Sequence, residues 1–143
     1  MDEQVVLINA PVDADSAMRG SPTLGMLYLG GVLKEQGIPV AFFDMHYEGE
    51  SWADVEKAVA GAERCLVGFT CNSDNIHRVR LLSDRVLDRF PHASVALGGP
   101  HVTHVWEPYV TDRRFVVRGE GEYAMLLLTK HVLRDEGTLA DIP

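Results

Sequence analysis

Five short apolar runs, rich in β-branched and aromatic residues, recur along this chain with longer stretches between them. They are VVLIN (5–9), PVAFFD (39–44), CLVGFT (65–70), SVALGG (94–99) and RFVVRG (114–119). Each has strand length and little polar alternation, the pattern of a strand covered on both faces. The intervening stretches suit helices. Ser21 can cap and Pro22 can open a helix running to Gln36, which Gly37 closes and Pro39 keeps from continuing. Gly25, Gly30 and Gly31 inside it each cost about 1 kcal/mol against alanine, so close packing on the sheet or on a ligand is expected there. Ser51 begins a second helix, with Asp54 three residues on. A third runs from Asn75 to Phe90, with Ile76, Val79, Val86 and Phe90 on one face and Pro91 ending it. A short helical piece follows Thr103. The last helix starts near Glu120 and Glu122, where negative charge suits the dipole, and carries Leu127, Leu128 and Val132 inward.

Strands alternating with helices give an α/β fold with a parallel sheet. The expected form is a flavodoxin-like or Rossmann-like doubly wound sheet of five strands, order 2-1-3-4-5, with right-handed crossovers and helices on both faces. No internal repeat or low-complexity segment interrupts it.

At 143 residues the chain is one domain, and its 46% hydrophobic content can supply a core. No apolar run approaches the roughly 20 residues that span a bilayer. The start, MDEQVVLINA, is acidic and lacks the basic region of a secretion signal. A net charge of −8 argues against a nucleic-acid partner. Two cysteines, Cys65 and Cys71, are too few for a disulfide framework or a four-thiolate zinc site. A reducing, cytoplasmic setting is expected.

In such a sheet the ligand lies beyond the carboxyl ends of the strands, at the switch point between strands 1 and 3. The loops there are NAPVDADSAMRGSPTLG (9–25), TCNSDN (70–75), GGPHVT (98–103) and RGEGE (118–122). The first is long for a strand-to-helix connection, where about 2–6 residues are usual. The third puts two glycines at a strand end, and the fourth alternates glycine with carboxylate. Each alone is ordinary turn chemistry; four on one rim indicate a site. No G-x-G-x-x-G follows strand 1, so a dinucleotide is not expected, and no G-x-x-x-x-G-K-[ST] occurs, so this is not a P-loop. Asn9-Ala10-Pro11 stands where a phosphoacceptor receiver would end strand 1 in aspartate. Asp13 and Asp15 disfavour an FMN phosphate.

With PTLGMLYLGGVLKEQG (22–37), VAFFD (40–44), LVGFTCNSDN (66–75), VALGGPH (95–101) and VVRGEGE (116–122) in order, the chain resembles the N-terminal cobalamin-binding domain of B12-dependent radical SAM enzymes. The resemblance covers nearly all of residues 1–143. It implies a domain holding base-off cobalamin, its nucleotide tail buried and one corrin face presented to a separate catalytic domain. It places Thr70 where B12-dependent methyltransferases carry the serine of Ser-x-Leu, and Gly98-Gly99 on their Gly-Gly pair. The cofactor-binding set it implies is Pro22, Leu24, Gly25, Thr70, Cys71, Asn72, Gly98, Gly99, Pro100, His101, Gly119, Glu120, Gly121 and Glu122, with no catalytic residue and no metal ligand.

DMHYEG (44–49) matches the Asp-x-His-x-x-Gly string by which other B12 proteins ligate cobalt. That family carries it after strand 1; here it follows strand 2, and loop 1 has no histidine. It is therefore expected to be coincidental, with Asp44 bonding turn amides and His46 exposed, leaving the cobalt without a histidine ligand. Arg19 or a neighbour could approach its lower face. His101 is expected to bond loop backbone or a corrin amide, and His77, His92, His104 and His131 to lie on the surface. Cys71 lies in the ligand loop, where a small buried thiol is the plainer role. Glu120 and Glu122 are assigned to binding rather than acid–base work.

The Cys-x-x-x-Cys-x-x-Cys cluster motif of the catalytic half is absent from these residues, so S-adenosylmethionine and an iron–sulfur cluster belong to another domain, supplied in cis or in trans. Its removal would bare apolar rim residues such as Leu24 or Trp106. An excised domain is favoured over a stand-alone carrier, with methyl transfer as the parent's reaction. The alternatives are a flavodoxin-like protein-interaction module without cofactor and a small B12-binding subunit of a mutase or corrinoid carrier.

Overall fold

The computed structural model describes residues 2–11, 24–45 and 51–143. Five strands, β1 (Glu3–Asn9), β2 (Val40–Asp44), β3 (Arg64–Thr70), β4 (Ala93–Gly98) and β5 (Arg114–Val116), form one parallel sheet in the order β2-β1-β3-β4-β5. The expected doubly wound α/β arrangement is the one observed. Helices α1 (Leu24–Glu35), α2 (Trp52–Ala60), α3 (Ile76–Arg89), α4 (Pro100–His104) and α5 (Glu122–Arg134) connect and cover it. No helix among the described residues is long and apolar enough to cross a membrane.

Strand alternation divides the core in two. Val6, Ile8, Val67, Phe69, Val95 and Leu97 pack with Val55 and Val59 of α2 and with Ile76, Val79 and Val86 of α3. Val5, Leu7, Leu66 and Ala96 face the other way, with Met26 and Leu33 of α1 and Met125, Leu128 and Leu133 of α5. Both faces are buried, so these strands read as continuous apolar runs.

The ends of the helices follow local chemistry. Gly37, at φ +73, closes α1: its amide bonds Lys34 O and the Ile38 amide bonds Leu33 O, both at 3.0 Å. This is the Schellman pattern, and Ile38 packs with Leu33 below it. The Ser51 hydroxyl accepts from the Asp54 amide at the start of α2. The expected caps Ser21 and Pro22 lie outside the described residues.

Three expectations shift. Helix α5 buries Ala124, Met125, Leu128, Thr129 and Leu133, while Leu127 and Val132 are half-buried. Its inward stripe is set by Met125 together with Leu128. The helical piece expected after Thr103 begins at Pro100, where proline suits the first turn. Strand β5 ends at Val116, short of the expected residue 119. Val117 still donates to Leu97 O (2.8 Å), but Gly119, at φ +73, turns the chain off the sheet and donates to Thr103 Oγ1.

Candidate cofactor site

A cavity of about 450 Å³ opens at the carboxyl ends of β1, β3 and β4, between α1 and α5. Parallel register builds it in two tiers. Leu7, Gly68 and Ala96 lie side by side on the α1/α5 face and form the lower tier. Two residues further along each strand, Asn9, Thr70 and Gly98 form the upper one. Side chains two apart on a strand share a face, so one groove runs over both tiers.

The lower tier is built on small residues of the strands. A β-carbon on Gly68 would fall 2.9 Å from Leu7 Cδ2 and 3.5 Å from Met125 Cε. The space glycine leaves is thus filled by two flexible apolar tips, and Ala96 adds no bulk beside it. Met26 and Leu29 of α1 complete an apolar wall. Glycine inside a buried strand is the signal that could have revealed this tier, because it often marks close approach by another group.

The upper tier is polar and held by its own loop. Asn75, buried at 1% exposure, donates from Nδ2 to Thr70 O (3.0 Å) and accepts at Oδ1 from the Asn72 amide (2.9 Å). Asn72 Oδ1 in turn accepts from the Asp74 and Asn75 amides. This reciprocal network fixes Thr70 and Asn72 at the mouth. Asn9 Nδ2 donates to Asp44 Oδ1 (3.1 Å) across the β1–β2 pair. Asp44 thus bonds a side chain of the upper tier, and the turn that follows it lies outside the described residues.

The loop after β4 is tightly determined. Gly99 has φ +104 and ψ 178, and a β-carbon there would lie 2.5 Å from Cys71 O and 3.1 Å from Thr70 Oγ1. Glycine is required at 99 by the neighbouring loop itself. The Cys71 amide donates to Gly98 O (2.7 Å) and the His101 amide donates to Cys71 O (3.2 Å), stitching the two loops together.

Of the fourteen residues implied by sequence, Leu24, Gly25, Thr70, Asn72, Gly98 and Gly99 line this cavity. Pro100, Gly119, Glu120, Gly121 and Glu122 line it as well. Two stand apart. The Cys71 side chain is fully buried in the opposite core, against α2 and α3, where burial pushes its thiol up to about 12. His101 does not line the cavity; its Nε2 lies 3.4 Å from the Tyr109 hydroxyl. Pro22 lies outside the described residues, as do Arg19 and His46. Glu120 and Glu122 are exposed on the rim. Leu24 is 61% exposed, whereas Trp106 is half-buried beneath the Arg118 guanidinium, 5.2 Å from its ring centre. Among the described residues no group of three or more His, Cys, Asp or Glu side chains could hold a metal ion.

Comparison with known proteins decides the family. The model of the B12 binding domain matches residues 12–129. This chain belongs to the B12-binding domain family. The domain is 29% identical over 106 residues, 71% of its length, to the uncharacterized methyltransferase PH0819 of Pyrococcus horikoshii, and covers 22% of that protein. Its fold matches the cobalamin-dependent S-adenosylmethionine radical enzyme OxsB with aqua-cobalamin bound, at TM-score 0.75 and 18% identity. That match covers 97% of the domain and 20% of the enzyme. The apo enzyme matches at TM-score 0.69 and 15% identity, over 99% of the domain and 20% of the enzyme. The domain therefore spans about a fifth of the length of these relatives.

Proposed function

We propose that this domain holds cobalamin, with its nucleotide arm displaced from cobalt into the cavity and no histidine beneath the metal. The observation that carries this is the groove over Leu7–Gly68–Ala96, which enters the sheet at the switch point and is roofed by α1 and α5. A cavity of about 450 Å³ suits an arm of a corrinoid; the corrin itself would rest across the mouth. Thr70 and Asn72 would meet the arm where it enters. Glu120 and Glu122 would accept hydrogen bonds from the amide side chains that fringe a corrin.

When bound, the cobalt supplies the group-transfer chemistry, and the domain supplies binding and orientation. The matched stretch is only about a fifth of each relative's length, which supports a radical SAM catalytic domain as partner, in cis or in trans. That domain would carry the iron–sulfur cluster and bind S-adenosylmethionine. The curated relative's name supports methyl transfer as the reaction. The free, buried thiols of Cys65 and Cys71 suit a reducing, cytoplasmic setting.

The test is to load the purified chain with hydroxocobalamin, remove free ligand by gel filtration and reduce the complex to the Co(II) state. Electron paramagnetic resonance is expected to show retained, base-off cobalt without nitrogen superhyperfine splitting, and the same spectrum in His46→Ala. Nitrogen splitting that disappears in His46→Ala would instead make DMHYEG a cobalt-ligating motif.

A further inference from the structure

Resting on the cobalamin assignment above, we propose that the lower tier selects the chemistry of the ligand's terminal base. It admits an apolar base such as dimethylbenzimidazole and discriminates against a purine such as adenine. The inference comes from where the polar groups of the cavity lie. Leu7, Gly68, Ala96 and Met125 offer only hydrocarbon, a thioether and strand backbone at the bottom. The backbone of these strands is engaged in the parallel ladders β1–β3 and β3–β4, so it has little left to give a ligand. Met26 and Leu29 on α1 add no donor. Among the described residues the side-chain polar groups sit two residues higher, at Asn9 and Thr70, or on the rim at Asn72, Glu120 and Glu122.

Among the described residues, a base reaching the lower tier thus meets a polar group only along the edge facing the mouth. Dimethylbenzimidazole has one free imidazole-type nitrogen, which the single Thr70 hydroxyl can satisfy, and two methyl groups for the apolar floor. Adenine shares that nitrogen and adds an amino group and two pyrimidine-ring nitrogens. Those three groups would be taken out of water with no partner among Leu7, Met125, Gly68 and Ala96. Leaving buried polar groups unpaired costs enough to separate the two ligands by roughly 10- to 100-fold in affinity. The floor can also adapt to the base it prefers. The Leu7 and Met125 tips that lie over Gly68 are flexible side chains, and methionine in particular remoulds around apolar shapes.

The test compares dissociation constants of the chain, by quenching of its intrinsic fluorescence, for three corrinoids: cobalamin, its adenine-based analogue pseudocobalamin, and cobinamide, which lacks the nucleotide. The expected result is cobalamin at least tenfold tighter than pseudocobalamin, with cobinamide no tighter than pseudocobalamin. Ala96→Ser, which adds one hydroxyl to the floor at almost constant volume, is expected to narrow the gap between the two bases. Equal affinity for the two bases, with cobinamide weaker, would overturn the selection while leaving the cobalamin assignment intact. Equal affinity for all three would overturn it by showing that the base does not enter the lower tier. Binding of none would overturn the cobalamin assignment itself, and the inference with it.

Discussion

Gly99→Ala is the sharpest test of how the site loops are held. Residue 99 has φ +104 and ψ 178, a region open essentially to glycine alone, and a side chain held there costs about 1–3 kcal/mol. The new methyl would lie 2.5 Å from Cys71 O and 2.8 Å from Cys71 N, backbone atoms that cannot rotate away. Relief requires the two loops to part, which strains the bonds from the Cys71 amide to Gly98 O and from the His101 amide to Cys71 O. Each is worth about 1 kcal/mol net. The sum is a loss of about 3–5 kcal/mol out of the roughly 5–15 available to a domain. At about 3 °C per kcal/mol for a chain of this size, the midpoint should fall by about 10–15 °C. Urea titration followed by circular dichroism, with a matching thermal scan, reads both quantities. A loss below about 1 kcal/mol would refute the claim that packing of the loops on each other demands glycine.

Gly25→Ala and Gly31→Ala should each stabilise the fold by about 0.5–1 kcal/mol, because neither β-carbon meets an atom of the described residues within 4 Å and alanine is the better helix former. Gly25 lines the cavity and Gly31 does not, so only Gly25→Ala should also weaken corrinoid retention, as fluorescence titration would reveal. Arg114→Met should cost about 2–4 kcal/mol in urea unfolding, since the buried guanidinium bonds Tyr109 O, Ser83 Oγ and Asp84 Oδ1 together and its loss leaves Tyr109 O and Ser83 Oγ without that donor. Burial pushes the Cys65 and Cys71 thiols up to about 12, above the unfolded value near 9. Their neutral forms therefore favour the fold fully below about pH 9, and that contribution is lost as pH rises toward 12, by up to about 1.4 kcal/mol per thiol per pH unit. Urea midpoints should fall between pH 9 and 10.5, and a pH-independent midpoint over that range would contradict the assignment.

Sheet order and strand positions were legible because both faces of the sheet are covered. That makes VVLIN and CLVGFT continuous apolar runs rather than alternating ones. The rim was legible for a similar reason: unusual loops at the switch point, with glycines and carboxylates, stand out against ordinary turns. The floor was not. Leu7, Ala96 and Met125 are indistinguishable in sequence from any other core residues, and only parallel register places them with Gly68 beneath one mouth. Cys71 shows the limit from the other side. It lies in the ligand loop by sequence, yet pleat alternation after Thr70 turns its thiol into the opposite core. Gly99 was legible as a glycine that matters; the reason it matters, contact with Cys71 backbone, depends on a neighbour twenty-eight positions earlier, as the numbering gives. The α5 phase slipped by one position because LLL (126–128) presents apolar residues to every side of that turn.

The central claim is tested most directly by a crystal structure of the chain grown with hydroxocobalamin. The account predicts density for the nucleotide arm between α1 and α5, its base over Gly68 and Ala96, and the Leu7 and Met125 tips drawn aside. A corrinoid whose base stays on cobalt, or whose arm lies anywhere but in this groove, would contradict it.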